Sequence, residues 1–503
     1  MTKLIDRLLD HITMYRLVLY YLMVLVSAAF VLGFFGIVPR NPAAIAFSTA
    51  LILAVCWVAN WIFARVFGVP ANAESVYITA LILALILDPV GVTDIRGASA
   101  LIFASVWAMA SKFIFAVGRK HIFNPAAFGV VLSAFLLDQP AAWWVGGNLP
   151  LLPAVLIGGL LIVRKLRRFD SVTTFILVNI ATVLSTSAPA HYGAALNETI
   201  LSSPLFFFAF VMLTEPLTAP TTRLPRLAFA ALVGFLSAPN VHVGSFYFTP
   251  ELALVVGNVF AWVIGPKERF ALTLERIEES ASDTYDFIFS SPRKLAFQAG
   301  QYLEWTLGLE RADNRGNRRY FTVASAPTED DVRLGVKFYP AASAFKRALS
   351  RMSPGDTIYA SQIAGDFTLP ANREMKLAFL AGGIGITPFR SMLQYLIDRG
   401  EERPIVLLYG NERQQDIAYR EVLDDAEKQL GVTTVYAVAS GAARGQYPGY
   451  IDAKLVRKAI PDFRERVFYV SGPQAMVTAL RKTLLGMGVH RSRIKADFFP
   501  GFA

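Results

Sequence analysis

Cysteine and histidine are scarce in this sequence of 503 residues, which has one cysteine, Cys56, and five histidines. The single cysteine excludes a disulfide framework, a cysteine-rich zinc site and a cysteine-ligated iron–sulfur cluster. The histidines do not pair within the apolar runs, as a bis-histidine haem inside a membrane requires. We therefore predict no metal site and expect any electron transfer to depend on organic cofactors.

Charge is also sparse. Charged residues make up 17% of the chain and apolar residues 54%, which excludes a disordered chain and a single soluble domain. The net charge of +10 is divided evenly, because 15 basic and 10 acidic residues precede Pro266 and 33 basic and 28 acidic residues follow it. No basic tail or stripe stands out, so a nucleic-acid partner is not expected.

Ten apolar runs before Pro266 predict a multi-pass α-helical membrane domain over residues 1–266. The runs are Tyr15–Val38, Pro42–Phe67, Ser75–Leu87, Gly97–Val117, Ile122–Leu137, Leu151–Val163, Ser171–Ser187, Thr199–Leu213, Leu227–Ala238 and Pro250–Gly265. Most lysines and arginines between runs fall on one side, which places the N-terminus and the soluble half in the cytoplasm. We expect a bacterial-type inner membrane protein.

Two of these runs begin alike. Asn124-Pro125 opens the fifth run and Thr249-Pro250 opens the tenth, and in each a capping residue precedes a proline. The two runs are five positions apart in the order of runs, so they would enter the membrane from opposite faces. This indicates an inverted repeat with broken helices meeting near the midplane. Alternatively, these prolines mark ordinary ends of spans.

The sequence after Lys267 alternates in polarity and is interrupted by turns. A β-rich stretch over Arg269–Leu369 precedes a β/α alternation from Met375 onward, which predicts a soluble module of two domains. The motif RYFTVAS spans Arg319–Ser325, and GGIGITP spans Gly382–Pro388 between a strand and a helix. Glycines in such a turn let the backbone approach a pyrophosphate at a helix N-terminus.

With Ser471-Gly472-Pro473 downstream, these motifs resemble the ferredoxin–NADP⁺ reductase superfamily over residues 268–503. The resemblance implies an FAD-binding β-barrel domain over residues 267–371 and an NAD(P)H-binding α/β domain over residues 372–503. It also implies an NAD(P)H-dependent flavin oxidoreductase, with FAD and with NADH or NADPH as cofactors.

The resemblance assigns roles to individual residues. Arg319 would pair with the flavin diphosphate, Phe321 would pack on the flavin, and Thr322 would bond near its reactive nitrogen. Thr322 and Ser471 are the candidate catalytic residues. The other candidate flavin residues are Tyr320, Ser325, Val336, Lys337, Ser343, Phe345, Phe498 and Phe499. The candidate nucleotide residues are Gly382, Gly383, Gly385, Thr387, Pro388, Asn411, Arg413, Gly472 and Pro473.

The membrane half resembles the flavin-bearing membrane subunits of the sodium-pumping NADH:quinone reductase and Rnf complexes. The motifs HIFNPAAFG over His121–Gly129 and TEPLTAP over Thr214–Pro220 carry this resemblance. Those subunits bear FMN covalently in a Ser-Gly-Ala-Thr motif of an outward loop. That string is absent here, where the resemblance implies that Asp138–Pro150 is the corresponding loop. A covalent FMN is therefore not expected, while a non-covalent one stays open.

A membrane flavin or quinone would then lie near the broken helices. Its candidate residues are Asn124, Thr218, Thr221, Thr222 and Arg223, each of which has an alternative reading as a helix cap or solvated loop residue. Asp88 and Glu215 are candidate intramembrane acids, with the alternative that both meet water at the interface.

These features predict a membrane-bound flavoprotein that passes electrons from NAD(P)H through FAD to an acceptor in or across the membrane. The expected partners are a nicotinamide nucleotide, membrane lipid and a quinone, second flavin or redox protein. Two alternatives remain at this point, namely a membrane-anchored flavin reductase that serves a soluble acceptor and a redox-driven ion pump.

Overall fold

The computed structural model describes residue 9 and residues 12–68, 73–117, 120–265, 270–309, 317–340 and 342–497. The candidate flavin residues Phe498 and Phe499 lie outside these ranges. The chain divides into two compact units, Met1–Lys267 and Glu268–Ala503. Each unit is therefore considered by itself.

Helices build the first unit, and each of the ten predicted runs overlaps a helical segment. They are α1 Met14–Phe34, α2 Pro42–Val66, α3 Ala73–Ile86, α4 Ile95–Ile114, α5 Pro125–Leu137, α6 Leu152–Leu166, α7 Phe169–Thr186, α8 Tyr192–Asn197, α9 Leu205–Phe207, α10 Arg223–Leu236 and α11 Pro250–Ile264. The segment containing α8 and α9 continues through π-helical turns and bends by 56° between Pro189–Ser202 and Leu205–Met212.

Among the described residues, five helices are long and apolar enough to cross a membrane, and the bent pair makes a possible sixth. The helices α3, α5, α10 and α11 have 14, 13, 14 and 15 residues, fewer than the roughly 20 that a straight crossing needs. Short apolar helices are what broken spans require.

The starts of α5 and α11 follow from their sequences. Asn124 accepts a hydrogen bond from the backbone of Ala127 at 3.0 Å, and Thr249 accepts one from Leu252 at 3.4 Å. In each helix the capping residue is followed by proline, whose fixed φ suits the first turn. The two helices also meet, because the Asn124 N–H donates to the Asn258 side chain at 2.7 Å.

The second unit begins with a six-stranded antiparallel sheet in the order β8-β7-β10-β5-β6-β9. Its strands are β5 Phe270–Ala281, β6 Thr284–Ser290, β7 Tyr302–Thr306, β8 Arg318–Thr322, β9 Val332–Lys337 and β10 Thr357–Ala364. The four earlier strands form two short hairpins in the helical unit. They are β1 Ala116–Val117 with β2 Lys120–His121, and β3 His242–Val243 with β4 Phe246–Tyr247. The Ala324 N–H donates to the Arg333 carbonyl at 2.8 Å, so the sheet curls until its edges meet.

A parallel six-stranded sheet follows in the order β14-β13-β12-β11-β15-β16. Its strands are β11 Leu377–Gly382, β12 Ile405–Asn411, β13 Thr433–Val438, β14 Tyr447–Pro448, β15 Val467–Ser471 and β16 Ile494–Asp497. The helices of this unit are α12 Ala344–Leu349, α13 Thr387–Arg399, α14 Arg420–Leu430, α15 Ala453–Ala459 and α16 Gln474–Gly486.

The central strand β11 is buried on both faces. Phe379 packs with residues of α13 and α14, whereas Leu380 packs with residues of α15 and α16. This explains why β11 has an unbroken apolar sequence rather than an alternating one. From β11 the chain adds β12, β13 and β14 on one side of the sheet and then crosses over to add β15 and β16 on the other side. This reversal of strand order leaves a crevice at the carboxyl ends of β11 and β15.

Candidate functional site

The glycine-rich turn lies in this crevice. Gly382 ends β11, and a single 3₁₀ turn over Gly383–Ile386 leads into α13. Gly383 has a φ of 51°, a conformation that residues with a Cβ rarely adopt. The Thr387 hydroxyl donates to the Ile384 carbonyl at 3.2 Å and fixes the turn against the helix, whose second residue is Pro388. The first backbone N–H groups of α13 therefore sit beside the turn, as an anion-binding site requires.

The Ser471-Gly472-Pro473 segment lies against this turn. A Cβ placed on Gly385 would be 2.5 Å from the Gly472 Cα, and one placed on Gly382 would be 2.2 Å from the sulfur of Met476. Ser471 is buried and ends β15 beside Ala381. Two motifs that are far apart in sequence thus form one backbone surface.

The end of β12 adds polar groups at the same edge. Asn411 is buried at the carboxyl end of the strand, and Glu412 and Arg413 follow it on the surface. The Glu412 carboxylate accepts hydrogen bonds from the Ser440 hydroxyl at 3.2 Å and the Tyr450 hydroxyl at 3.0 Å. The hydrogen bond to Glu412 raises the pKa of Tyr450. Glu412 is therefore held in a defined orientation despite its exposure.

The Arg319 motif builds a second set of contacts on β8. Arg319 is 6% exposed, and its guanidinium lies 5.4 Å from the centre of the Phe345 ring. The rings of Phe321 and Phe345 are 6.0 Å apart. Ser343 is fully buried and caps α12 by accepting from the Lys346 N–H at 3.3 Å. The structure thus brings Arg319, Phe321, Ser343 and Phe345 together.

Thr322, at the end of β8, has a buried hydroxyl that lacks a partner among the described residues. It is 3% exposed, and its hydroxyl has no hydrogen-bond partner among the residues that the structure describes. A buried hydroxyl without a partner costs free energy, which a bound ligand with a hydrogen-bonding group would recover. A ligand with a hydrogen-bonding group beside β8 would therefore satisfy the Thr322 hydroxyl.

Other predicted flavin residues have structural partners. The Tyr320 hydroxyl donates to Glu304 at 2.8 Å, and the Ser325 hydroxyl accepts from the Arg333 N–H at 3.0 Å. Val336 is buried in the core of the antiparallel sheet. The Lys337 ammonium forms an ion pair with Asp416 at 2.8 Å. Its charge is therefore paired with a residue of the parallel-sheet half of this unit.

Sequence reasoning missed the contacts that fix one sheet against the other. Helix α13, which follows the glycine turn, sends Arg390 to the Ala324 carbonyl at 3.1 Å and Ser391 to the Ser325 carbonyl at 2.7 Å. Arg390 also pairs with Glu329. Arg390 and Ser391 lie in the helix that directly follows the glycine turn. Their closeness to that motif was the sequence feature that could have indicated these contacts.

A second contact between the sheets centres on Asp286, which is 1% exposed in β6. Its carboxylate accepts from the Tyr419 hydroxyl at 2.5 Å and from Arg333 at 2.9 Å. Burial raises the pKa of Asp286, while both hydrogen bonds lower it. Gly335 leaves room for this contact, since a Cβ there would be 2.3 Å from the Tyr419 hydroxyl.

In the helical unit, Asn124 and Thr218 meet at one carboxylate. The Glu215 side chain accepts from Asn124 at 2.8 Å and from Thr218 at 3.0 Å, and His121 lies 3.6 Å from its other oxygen. Asn258 donates to the Thr218 carbonyl at 3.4 Å. Glu215 therefore ties the TEPLTAP segment to the start of α5, and Thr218 ties it to the middle of α11.

The remaining membrane candidates are not in this cluster. Thr222 precedes α10, the Thr221 carbonyl accepts from Arg226 at 3.1 Å, and Arg223 is exposed. Asp88 forms an ion pair with Arg40 at 2.9 Å and its side chain is 60% exposed. Its candidacy as an intramembrane acid stays a prediction, with the alternative that it meets water at the interface.

Part of the predicted loop Asp138–Pro150 is buried. Trp143, Trp144 and Val145 are 8%, 7% and 0% exposed. The Ala142 and Trp143 N–H groups both donate to the Ile86 carbonyl, at 2.9 and 3.0 Å. This part of the segment packs into the unit and closes the carboxyl end of α3.

Comparison with known proteins agrees with this division. Residues 145–269 match the model of the NQR2, RnfD, RnfE family, and residues 379–482 match that of the oxidoreductase NAD-binding domain. The chain thus fuses a membrane region of the first kind to a reductase module of the second.

The curated relatives match about two fifths of this chain. A flavohemoprotein of Xylella fastidiosa is 28% identical over 40% of this chain and 51% of its own length. The glycine betaine monooxygenase reductase subunit of Pseudomonas aeruginosa is 25% identical over 43% and 60%. The chain therefore spans about half the length of these curated relatives. The flavohem-like FAD/NAD binding domain of a nitric oxide dioxygenase from Vibrio cholerae has a TM-score of 0.42 and 20% identity, covering 46% of this chain and 98% of that chain.

Proposed function

We propose that this protein is a membrane-bound flavoprotein oxidoreductase that passes electrons from NAD(P)H through FAD to an acceptor in or across the membrane. The observation that carries the proposal is the pairing of two features within the second unit. A backbone surface of Gly382, Gly383, Gly385 and Gly472 suits a dinucleotide. Contacts of α13 hold it to Ala324 and Ser325, which directly follow the strand that bears Arg319 and Thr322.

The proposed roles follow from side-chain chemistry. Arg319 would fork onto the flavin diphosphate, Phe345 would shield it, and Ser343 would add a polar group. Thr322 would donate its unused hydroxyl to the flavin ring edge. Ser471, at the end of β15, would orient the nicotinamide beside it. When bound, FAD accepts a hydride and releases single electrons, and the protein positions the two partners.

The proposed preference is for NADH over NADPH. Glu412 is the acidic residue at the end of the second strand of the parallel sheet, where carboxylates commonly bind the 2′-hydroxyl of an adenosine ribose. Its hydrogen bonds from Ser440 and Tyr450 prevent it from turning away from a 2′-phosphate. Like charges would then disfavour NADPH, although the neighbouring Arg413 has the opposite charge.

For the membrane half we infer ten spans with an inverted repeat, the N-terminus and reductase module being cytoplasmic. The capped starts of α5 and α11 and their contact through Asn258 support this arrangement. One flavin at a membrane surface does not bridge a hydrocarbon core of about 30 Å. The transmembrane route therefore needs a second redox group, a non-covalent FMN or a quinone, for which Asn124 and Thr218 are the proposed contacts.

A cofactor inventory tests the proposal. The full chain, purified in detergent, is precipitated with acid, and released FAD, FMN and quinone are quantified against protein. FAD together with a second redox group supports the transmembrane route. FAD alone, with NADH oxidation that needs only a soluble acceptor, would favour the anchored reductase. Absence of FAD would refute the whole assignment, and an ion gradient in NADH-fed proteoliposomes would add the pump function.

A further inference from the structure

Glu251 is a buried acid to which the proposed electron path gives no role. It lies in the first turn of α11 and is 1% exposed. Its carboxyl oxygen accepts a hydrogen bond from the indole N–H of Trp143 at 3.1 Å, and its other interactions are with Thr249 and its own backbone. Among the described residues no basic side chain forms an ion pair with it.

The surroundings of Glu251 favour neither protonation state completely. Burial away from water disfavours a carboxylate. The carboxylate form is favoured by the positive end of α11, the Trp143 indole and the Thr249 hydroxyl. With these effects opposed and no cation to decide between them, the group is suited to taking up and losing a proton. Ionisable residues inside a membrane unit are also costly and commonly functional.

Trp143 makes this contact from a strained backbone conformation. Its φ of 47° is a conformation that bulky residues seldom adopt. The two hydrogen bonds to Ile86 maintain it, together with the Trp144 indole, which donates to the Ala84 carbonyl at 3.1 Å. The strained backbone directs the Trp143 indole toward Glu251 while the segment closes the end of α3.

We propose that the Glu251 carboxyl is a proton-exchange site of the membrane half and that Trp143 is its positioning residue. The ligand is a proton, bound and released at one carboxyl oxygen. The charged and titratable groups of the described elements around it contribute no ion pair, so the Trp143 indole and the Thr249 hydroxyl set its surroundings. The site does not depend on the proposed reductase activity.

Infrared spectroscopy of the resting full chain in detergent tests this directly. The C=O stretch of a protonated carboxyl is followed from about pH 5 to about pH 9, the range in which buried carboxyl groups titrate. We expect a band that shifts in D₂O, weakens as pH rises and disappears in Glu251→Gln. Trp143→Phe should retain the band at a shifted frequency, because the indole hydrogen bond is lost. Glu198→Gln, which changes an exposed acid, should leave the band unchanged.

Each other outcome overturns the proposal. A spectrum without the band at any pH means that Glu251 stays ionised, and a band that neither titrates nor exchanges means that it is a fixed neutral group. A band that sodium chloride weakens at constant pH, when potassium chloride does not, means that the site binds a metal cation. An unshifted band in Trp143→Phe removes the positioning role. These results require no NADH turnover, so they are independent of the reductase proposal.

Discussion

The Tyr419 hydroxyl donates a 2.5 Å hydrogen bond to the buried carboxylate of Asp286, which joins the nucleotide half of the reductase unit to its antiparallel sheet. Burial raises the pKa of Tyr419 well above its ordinary value, so the hydroxyl keeps its proton and remains a donor. Tyr419 also has a φ of 57°, so its backbone is held in a strained conformation at this contact.

Replacing Tyr419 with Phe should destabilise the reductase unit by about 1–3 kcal/mol, because a buried acceptor loses its partner while the ring is kept. Chemical unfolding of the full chain, followed by release of FAD fluorescence, measures this loss. Tyr447→Phe is the matched control, since that hydroxyl bonds only weakly to an exposed acid at 3.3 Å. Equal stability of the two variants would contradict the proposed importance of the Asp286 contact.

Asp286 should also make stability depend on pH. Its pKa is raised in the folded state, so the folded chain holds this proton at a pH where the unfolded chain has lost it. Its contribution to stability is therefore greatest below the unfolded value of about 3.9 and declines as pH rises toward the folded value. Asp286→Asn should remove that decline. Unfolding midpoints over the acidic range test this, and an unchanged slope would show that other groups dominate.

Arg319→Ala should lower FAD occupancy, because the diphosphate would lose its forked, charged partner. Flavin released per chain is the measurement. Arg318→Ala serves as the control on the same strand, since Arg318 is half-buried and lies 3.5 Å from Glu304 on the other face. If Arg319→Ala kept full flavin and full NADH oxidation, the flavin assignment of this motif would be incorrect.

Gly385→Ala should impair nucleotide binding while leaving FAD in place. The added methyl group would lie 2.5 Å from the Gly472 backbone, which cannot move aside as a flexible side chain can. We expect KM for NADH to rise about tenfold or more, equivalent to roughly 1.4 kcal/mol. Gly486→Ala, where a Cβ meets nothing within 4 Å, should behave as the native chain. Equal KM values in the two variants would contradict the proposal that this glycine turn binds the nucleotide.

Glu412→Gln should reduce the preference for NADH. The change removes the negative charge but keeps the shape of the side chain. The amide oxygen can accept from one of the Ser440 and Tyr450 hydroxyls, and the amide NH₂ can donate to the other. We expect the ratio of kcat/KM values for NADH and NADPH to fall by about tenfold, or roughly 1.4 kcal/mol. Glu421→Gln, at the start of α14, is the control. An unchanged ratio would mean that Glu412 does not face the ribose.

Local sequence was sufficient for several features of this fold. The caps at Asn124 and Thr249 were predictable because a capping side chain bonds the backbone only three residues later. The Gly382–Pro388 turn was predictable for a similar reason, since a strand, a glycine turn and a helix follow one another without interruption. Each of the ten apolar runs overlaps a helical segment. Among the described residues, however, length and composition support five membrane crossings, or six with the bent pair.

Contacts between distant residues were not predictable in this way. Asp286 and Tyr419 are 133 positions apart. Asp286 lies in β6 and Tyr419 directly precedes α14, and neither local sequence indicates the contact. The segment Asp138–Pro150 was predicted as a loop from its correspondence to a loop of the family that it resembles. Its own sequence does not show that the end of α3 supplies the acceptors that hold Trp143 in the interior. Whether a polar or aromatic side chain is buried depends on partners that its neighbours in sequence do not reveal.

The backbone contact between Gly385 and Gly472 also has a consequence for synthesis of the chain. The residues are 87 positions apart, so a nascent chain completes the glycine turn's own sequence long before Ser471 and Gly472 leave the ribosome. The strand that carries Arg319 and Thr322 is made earlier still. An arrested chain that ends before β15 would therefore contain the Arg319 strand, yet it would lack one wall of the nucleotide crevice.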